Sequence, residues 1–352
     1  MNPGSVWWGQ LGNSLRFLTN ITNSLQDCRS VVLQLPRELP WRRDFYEAVD
    51  IRRSFFGGER RLVRLSWAEG ADPGEFVLDE LCSGRVRADY WPGQTYAQYL
   101  GTRPELLMND YYIWISGIHS KGDLAGWVEF LSGYHRAAKQ QDSSAVFLLE
   151  YDGPNTDVSG VDKIVYTVEN YDCRVFALEA AAALGNTSLR NYQAELALNI
   201  CGNSPELCFA LLTAGAKLLR NPVAAAAEVT ACTYSSEGLP FPDLDEAQIQ
   251  SAAWESAIVL LFPVLERFRT DFIRKNEREL ARHLPITNSN GDRITDPRDL
   301  EIGSLWHIVR SAGKTFTTSD AETVRLCRKV RNLLAHNKFV PVEDVHNVLM
   351  IP

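Results

Sequence analysis

No cysteine pair stands at CxxC spacing anywhere in these 352 residues, and the six histidines show no ligand spacing. That argues against a zinc finger or ribbon, and no metal is expected. The seven cysteines (Cys28, Cys82, Cys173, Cys201, Cys208, Cys232 and Cys327) are odd in number and scattered among mostly apolar neighbours. They read as reduced, buried thiols in a cytoplasm rather than as a disulfide framework. No apolar run of roughly 18 residues is present to span a membrane, and residues 1–10 lack a basic region followed by an apolar one, so neither a span nor a secretory signal is expected. Positive charge is also short: 36 Lys and Arg stand against 44 Asp and Glu, a net charge of -8. Such a balance argues against a general nucleic-acid coat and leaves room for a local basic patch.

What is present is ordinary globular material, 45% apolar and 23% charged, in a chain long enough for two domains. Residues 12–27 read as a helix with Leu15, Leu18, Ile21 (or Thr22) and Leu25 on one side. Five short apolar runs follow, at 30–35, 61–65, 111–115, 145–149 and 163–168. Between the third and fourth, residues 123–138 make a helical pattern carried by Leu124, Trp127, Val128, Leu131 and Tyr134. Alternation of this kind predicts a parallel sheet covered on both faces.

The fourth run continues into Glu150-Tyr151-Asp152-Gly153, an apolar strand ending in acidic residues. Residues 1–172 thereby resemble an AAA/STAND-like P-loop ATPase in order and spacing, with Glu150 and Asp152 on the Walker B-like strand and the next strand's end, at Glu169-Asn170, where that family carries a polar sensor. The phosphate loop is missing. After the first strand the chain reads Pro36-Arg37-Glu38-Leu39-Pro40-Trp41, without glycines to let the backbone cradle a phosphate and without the following lysine and hydroxyl. The resemblance therefore implies a degenerate ATPase-like α/β domain with no cofactor, in which Glu150 and Asp152 are strand-end carboxylates.

Residues 173–233 read as an alanine-rich helical lid or connector. Leu196 and Ile200 share a face, Gly202-Asn203-Ser204-Pro205 makes a turn, and Leu207, Leu211, Ala214 and Leu218 continue a stripe. The stretch 234–242, rich in serine, glycine and proline, reads as a linker. Residues 243–352 then hold an all-α domain: a long helix over 246–281, a shorter one over 300–311 with Ile302, Leu305, Trp306 and Ile308, a third over 320–335 with Val324, Cys327, Val330 and Leu334 facing the core, and a short fourth from Val342.

The third of these helices ends in Arg331-Asn332-Leu333-Leu334-Ala335-His336-Asn337-Lys338. Arginine suits a phosphate or phosphorane, and histidine moves protons near neutral pH. Cleavage of RNA through its own 2'-hydroxyl needs those two functions and no metal. The segment resembles the Arg-x4-6-His signature of HEPN domains, helical ribonuclease modules of bacterial toxins and antiphage systems, and the helix order over 243–352 is similar to that family's. The resemblance implies His336 as base or acid, Arg331 as the group that stabilises the phosphorane, and Asn332 as a polar residue orienting one of them. Asn332 and His336 are four apart, which puts them on one helical face, and Asn337 followed by Pro341 reads as a helix stop. Arg325, Arg328, Lys329 and Lys338 form a basic stripe opposed only by Glu322, read either as an RNA phosphate path or as a solvated helix face. A second match, Arg278 to His283, carries Glu279 directly after its arginine, where a carboxylate repels a phosphate, and reads as a decoy. His307 beside Trp306 reads as structural, or as lining a dimer cleft.

Residues five apart on a straight helix point roughly 140° away from each other. Arg331 and His336 therefore meet one phosphate only if the chain bends after Ala335 or if two copies contribute, and the resemblance implies a homodimer with a composite cleft. The leading expectation is a metal-independent endoribonuclease acting as a toxin or antiphage defence effector, with the ATPase-like part as scaffold or restraint. The alternative is a non-enzymatic adaptor in a defence complex with a protein partner, both folds being vestigial.

Overall fold

All five apolar runs become strands of one parallel sheet: β1 (Val31–Gln34), β2 (Arg61–Ser66), β3 (Tyr111–Ile118), β4 (Val146–Tyr151) and β5 (Asp162–Val165), side by side in the order β2-β3-β4-β1-β5. The structure, a computed structural model, describes residues 1–55, 60–103, 108–139, 144–185, 188–287 and 291–351. Two compact units emerge, Asn2–Asp172 and Cys173–Pro352, Met1 grouping with the latter. The first is the α/β unit, the second the helical one.

Every residue of β1 and β4 is buried, because helices cover both faces of the sheet. The chain crosses from β1 to the far edge at β2 and then steps back through β3 and β4. With right-handed crossovers, that reversal sends the β1–β2 helix to one face and the β2–β3 and β3–β4 helices to the other. The first face carries α1 (Pro3–Gln10), α2 (Gly12–Gln26) and α3 (Arg42–Arg53). The second carries α4 (Pro73–Leu81), α5 (Gly84–Ala88), α6 (Tyr96–Gly101) and α7 (Lys121–Ala138). Trp8, Phe17, Phe45 and Tyr166 form an aromatic layer on the first face, while Trp127, Phe130, Tyr134 and Phe147 do so on the second.

Two details depart from the sequence reading. The fifth strand stops at Val165, short of Glu169-Asn170: among the described residues its one ladder partner is β1, which ends at Gln34 opposite it. Glu169 instead accepts from Thr167 Oγ1 at 2.7 Å, and Asn170 opens a helix. Residues 3–10, read only for a signal, form α1: Asn2 caps it by accepting from the Gly4 and Ser5 N–H groups, Pro3 starts it, and Trp7 and Trp8 are fully buried.

The helical unit follows α8 (Asn170–Ala183) with α9 (Arg190–Cys201), α10 (Pro205–Thr213), α11 (Ala216–Arg220) and α12 (Pro222–Cys232). Gly202 ends α9 and Ser204 caps α10. The expected stripe through Ala214 is broken: Gly215, at φ 57°, separates α10 from α11, so Leu211 and Leu218 are buried from two different helices. Next come α13 (Glu246–Ala281), a short antiparallel pair β6 (Ile286–Thr287) and β7 (Arg293–Ile294), α14 (Ile302–Ser311), α15 (Thr318–Ala335) and α16 (Val342–Leu349). Helices α9, α12, α15 and α16 all pack on α13. By length and composition α13 is the one described helix long and apolar enough to cross a membrane, and the core helix of a soluble protein can look the same.

All seven cysteines are free thiols. Four are buried, but Cys28 and Cys232 are exposed, against the expectation of interior thiols.

Candidate functional site

Helix α15 carries the Arg-x4-His segment at its end. Thr317 starts it, its hydroxyl accepting from the Asp320 N–H at 3.0 Å. Val324, Cys327, Val330 and Leu334 recur at three- and four-residue spacing and are buried, which anchors one face and leaves the charged residues on the other. The helix stops at Ala335, and His336 is its C-cap with φ −111° and ψ 19°. Asn337 is left-handed at φ 51°. The Asn337 N–H donates to the Leu334 carbonyl at 3.3 Å and the Lys338 N–H to the Leu333 carbonyl at 2.9 Å. This is a Schellman closure, which occupies carbonyls a helix end otherwise leaves open, and asparagine is the residue other than glycine that tolerates its left-handed position. From α13, Trp254 Nε1 donates to the Leu334 carbonyl at 2.7 Å, fixing the same turn from the side.

Around this terminus His336 is exposed, Asn332 half-buried and Arg331 exposed. Arg331 Nη2 lies 3.4 Å from Glu301 Oε2, a single contact between two solvent-facing groups, worth roughly 0–1 kcal/mol. The expected amide–imidazole contact between Asn332 and His336 does not form among the described residues. His336 has left helical dihedrals, and the i,i+4 relation that would pair the two holds only while the helix continues. The stripe is trimmed as well: Lys329 Nζ sits 2.6 Å from Asp344 Oδ2 of α16. Arg325, Arg328 and Lys338 are exposed, without an ion pair among the described residues.

The decoy is engaged differently. Glu279 pairs with Arg282 at 2.6 Å, and His283 Nε2 lies 3.7 Å from the other carboxylate oxygen, beyond hydrogen-bond distance. His307 is exposed, so the structural role expected for it has no packing to support it.

The α/β unit has its own polar centre at the carboxyl ends of β1 and β4. The connections leaving these two neighbours go to opposite faces, and in open parallel sheets such a crevice is where ligands bind. Here protein groups fill it. Glu150, 4% exposed, is ion-paired with Arg42, the first residue of α3. It also accepts from the Tyr46 hydroxyl at 2.9 Å and from Trp114 Nε1 at 3.0 Å. Burial, and then the Glu150 charge, push the Tyr46 phenol well above its ordinary value, so Tyr46 remains a neutral donor. Asp152 Oδ1 lies 2.5 Å from His119 Nδ1. Gly153 is a close approach: a Cβ there would fall 2.2 Å from the His119 carbonyl oxygen. Gln34 donates to the Gly153 carbonyl at 2.9 Å, while its Oε1 is buried with no hydrogen-bond partner among the described residues. Arg42, Tyr46 and His119 carried no local sequence signal, since Arg42 and Tyr46 stand 108 and 104 residues from their common acceptor. No group of three or more His, Cys, Asp or Glu is placed to hold a metal ion among the described residues.

No protein-family model matches the chain, and no curated protein does. Among solved structures the chain is similar to Saccharomyces cerevisiae RIF2, at 10% identity over 68% of this chain and 95% of that one, with a TM-score of 0.34. A likeness that low carries no inference.

Proposed function

We propose that the helical unit is a HEPN-type, metal-independent RNA endonuclease, with His336 transferring the proton, Arg331 stabilising charge on the phosphorus, and Asn332 supporting Arg331 rather than the imidazole. One observation carries the reading: the segment's histidine is presented at a firmly closed helix end and is not spent on structure. His336 is exposed with no hydrogen bond from its imidazole among the described residues, whereas His283 is half-buried and lies 3.7 Å from the Glu279 carboxylate. The unpaired Arg325, Arg328 and Lys338 add local positive charge to an otherwise acidic chain. The chain bends after Ala335, which is one of the two conditions for Arg331 and His336 to meet one phosphate, and the HEPN resemblance adds a second copy that completes the cleft. Purified protein in EDTA should cut single-stranded RNA and leave 2',3'-cyclic phosphate ends, because the 2'-hydroxyl is the nucleophile, and DNA of the same sequence should stay intact. Cleavage that requires magnesium, or that cuts DNA equally well, would exclude this chemistry.

The α/β unit is, in this reading, an ATPase-like scaffold that has lost its phosphate loop. Arg42 already neutralises Glu150, so no cation is needed at the end of β4. ATP with magnesium should show no measurable heat of binding at physiological concentrations. A micromolar affinity abolished by Asp152→Ala would overturn this part of the account. The same observation is the one that favours the adaptor alternative, since one unit's chemistry is already replaced by internal contacts.

A further inference from the structure

Just beyond the Schellman turn the chain presents Phe339, 39% exposed, in a run of exposed residues that also includes His336, Asn337 and Lys338. The exposed part of that ring keeps apolar surface in water, and covering it would be favourable. Its neighbour Val340 is 1% exposed and anchors the chain's return to the core, so Phe339 is held at a fixed place rather than on a loose end. Asn337, at φ 51°, ends the helical path, and the residues after it belong to the connection that leads to α16. No aromatic ring contact involves Phe339 among the described residues. A Schellman turn is commonly closed by an apolar contact from the residue after the left-handed one; here that residue is the polar Lys338, and Phe339 is the first apolar side chain after the turn.

Within four residues the chain therefore offers a proton-transfer group, a cation without an ion pair among the described residues and a partly exposed aromatic ring. This combination matches one nucleotide of single-stranded RNA, whose unpaired base stacks on aromatic rings while its phosphate meets a cation. We infer that Phe339 is the stacking platform for a nucleobase flanking the scissile phosphate, with Lys338 on an adjoining phosphate. This restricts the substrate to unpaired RNA and, because every base has a π-face, gives little preference among the four bases. The inference rests on the ribonuclease reading of the same helix end.

The experiment separates the two. Full-length His336→Ala protein, which should bind without cutting, is titrated at fixed salt against a fluorescein-labelled single-stranded RNA and against the same sequence as a duplex. Adding Phe339→Ala should weaken single-strand binding roughly five- to a hundredfold, the usual effect of removing one stacked aromatic, and leave duplex binding unchanged. Phe339→Leu keeps an apolar side chain at this position and should weaken binding nearly as much, while Phe339→Trp should restore it. Equal single-strand affinities with and without Phe339→Leu would overturn the stacking role and leave the ribonuclease reading standing, provided that wild-type protein cuts RNA. A His336→Ala parent with no RNA affinity, beside wild-type protein that cuts nothing, would overturn both.

Discussion

Arg331→Lys should lower the rate of RNA cleavage about a hundredfold to a thousandfold, the usual effect of removing one stabilising donor from a developing anion. Lysine keeps the charge but presents a compact ammonium, and it loses the planar fork that holds two phosphate oxygens at once. The fold should be unaffected. Arg331 is exposed, and its one ionic contact, to Glu301 at 3.4 Å, contributes little. Single-turnover cleavage beside a thermal melt checks both halves. A drop of less than tenfold with an unchanged melt would mean that Arg331 supplies only general positive charge.

The second large effect concerns stability. Arg42→Ala should destabilise the α/β unit by about 3 kcal/mol or more, because it leaves the Glu150 carboxylate buried with only the neutral donors Tyr46 and Trp114. Glu150→Gln in the Arg42→Ala background should recover part of that loss: the amide oxygen still accepts a hydrogen bond and no charge remains buried. Urea unfolding of the three proteins would show this order. Arg42→Ala within 1 kcal/mol of wild type, or a double variant less stable than Arg42→Ala, would mean that water or another group reaches Glu150 and that the crevice is less closed than described.

These two sites differ in how far the sequence exposes them. The helix end is written locally. Val324, Cys327, Val330 and Leu334 mark the buried face, Thr317 and Asp320 the start, and Asn337 the stop, all within one stretch of chain. The β strands are legible for a related reason: strands of a parallel sheet covered on both faces are short continuous apolar runs, as in β1 and β4. What the sequence hides is set by partners far along the chain. The end of β5 depends on where β1 stops, and the fate of Glu150 depends on Arg42, whose role at the start of α3 nothing in its neighbourhood announces. The Asn332–His336 pairing fails through a smaller cause. Helical spacing reaches only to the last helical residue, one short of His336, and the cap dihedrals take His336 off the shared face. Helix α1 is hard to read because eight residues with tryptophans buried side by side give no one-sided pattern, although Asn2-Pro3 is a readable start.

Cleavage of one single-stranded RNA by His336→Ala and by His283→Ala, side by side in EDTA with wild-type protein, tests the central claim most directly. Both histidines end helices in an Arg-x4-His setting, but among the described residues His283 has a carboxylate, Glu279, beside it at 3.7 Å and His336 has none. The account predicts that His336→Ala abolishes cleavage with its fold intact and that His283→Ala cuts like wild type. Loss of activity in His283→Ala with His336→Ala still active would place the chemistry at the end of α13, and no cleavage by any of the three proteins would leave an adaptor.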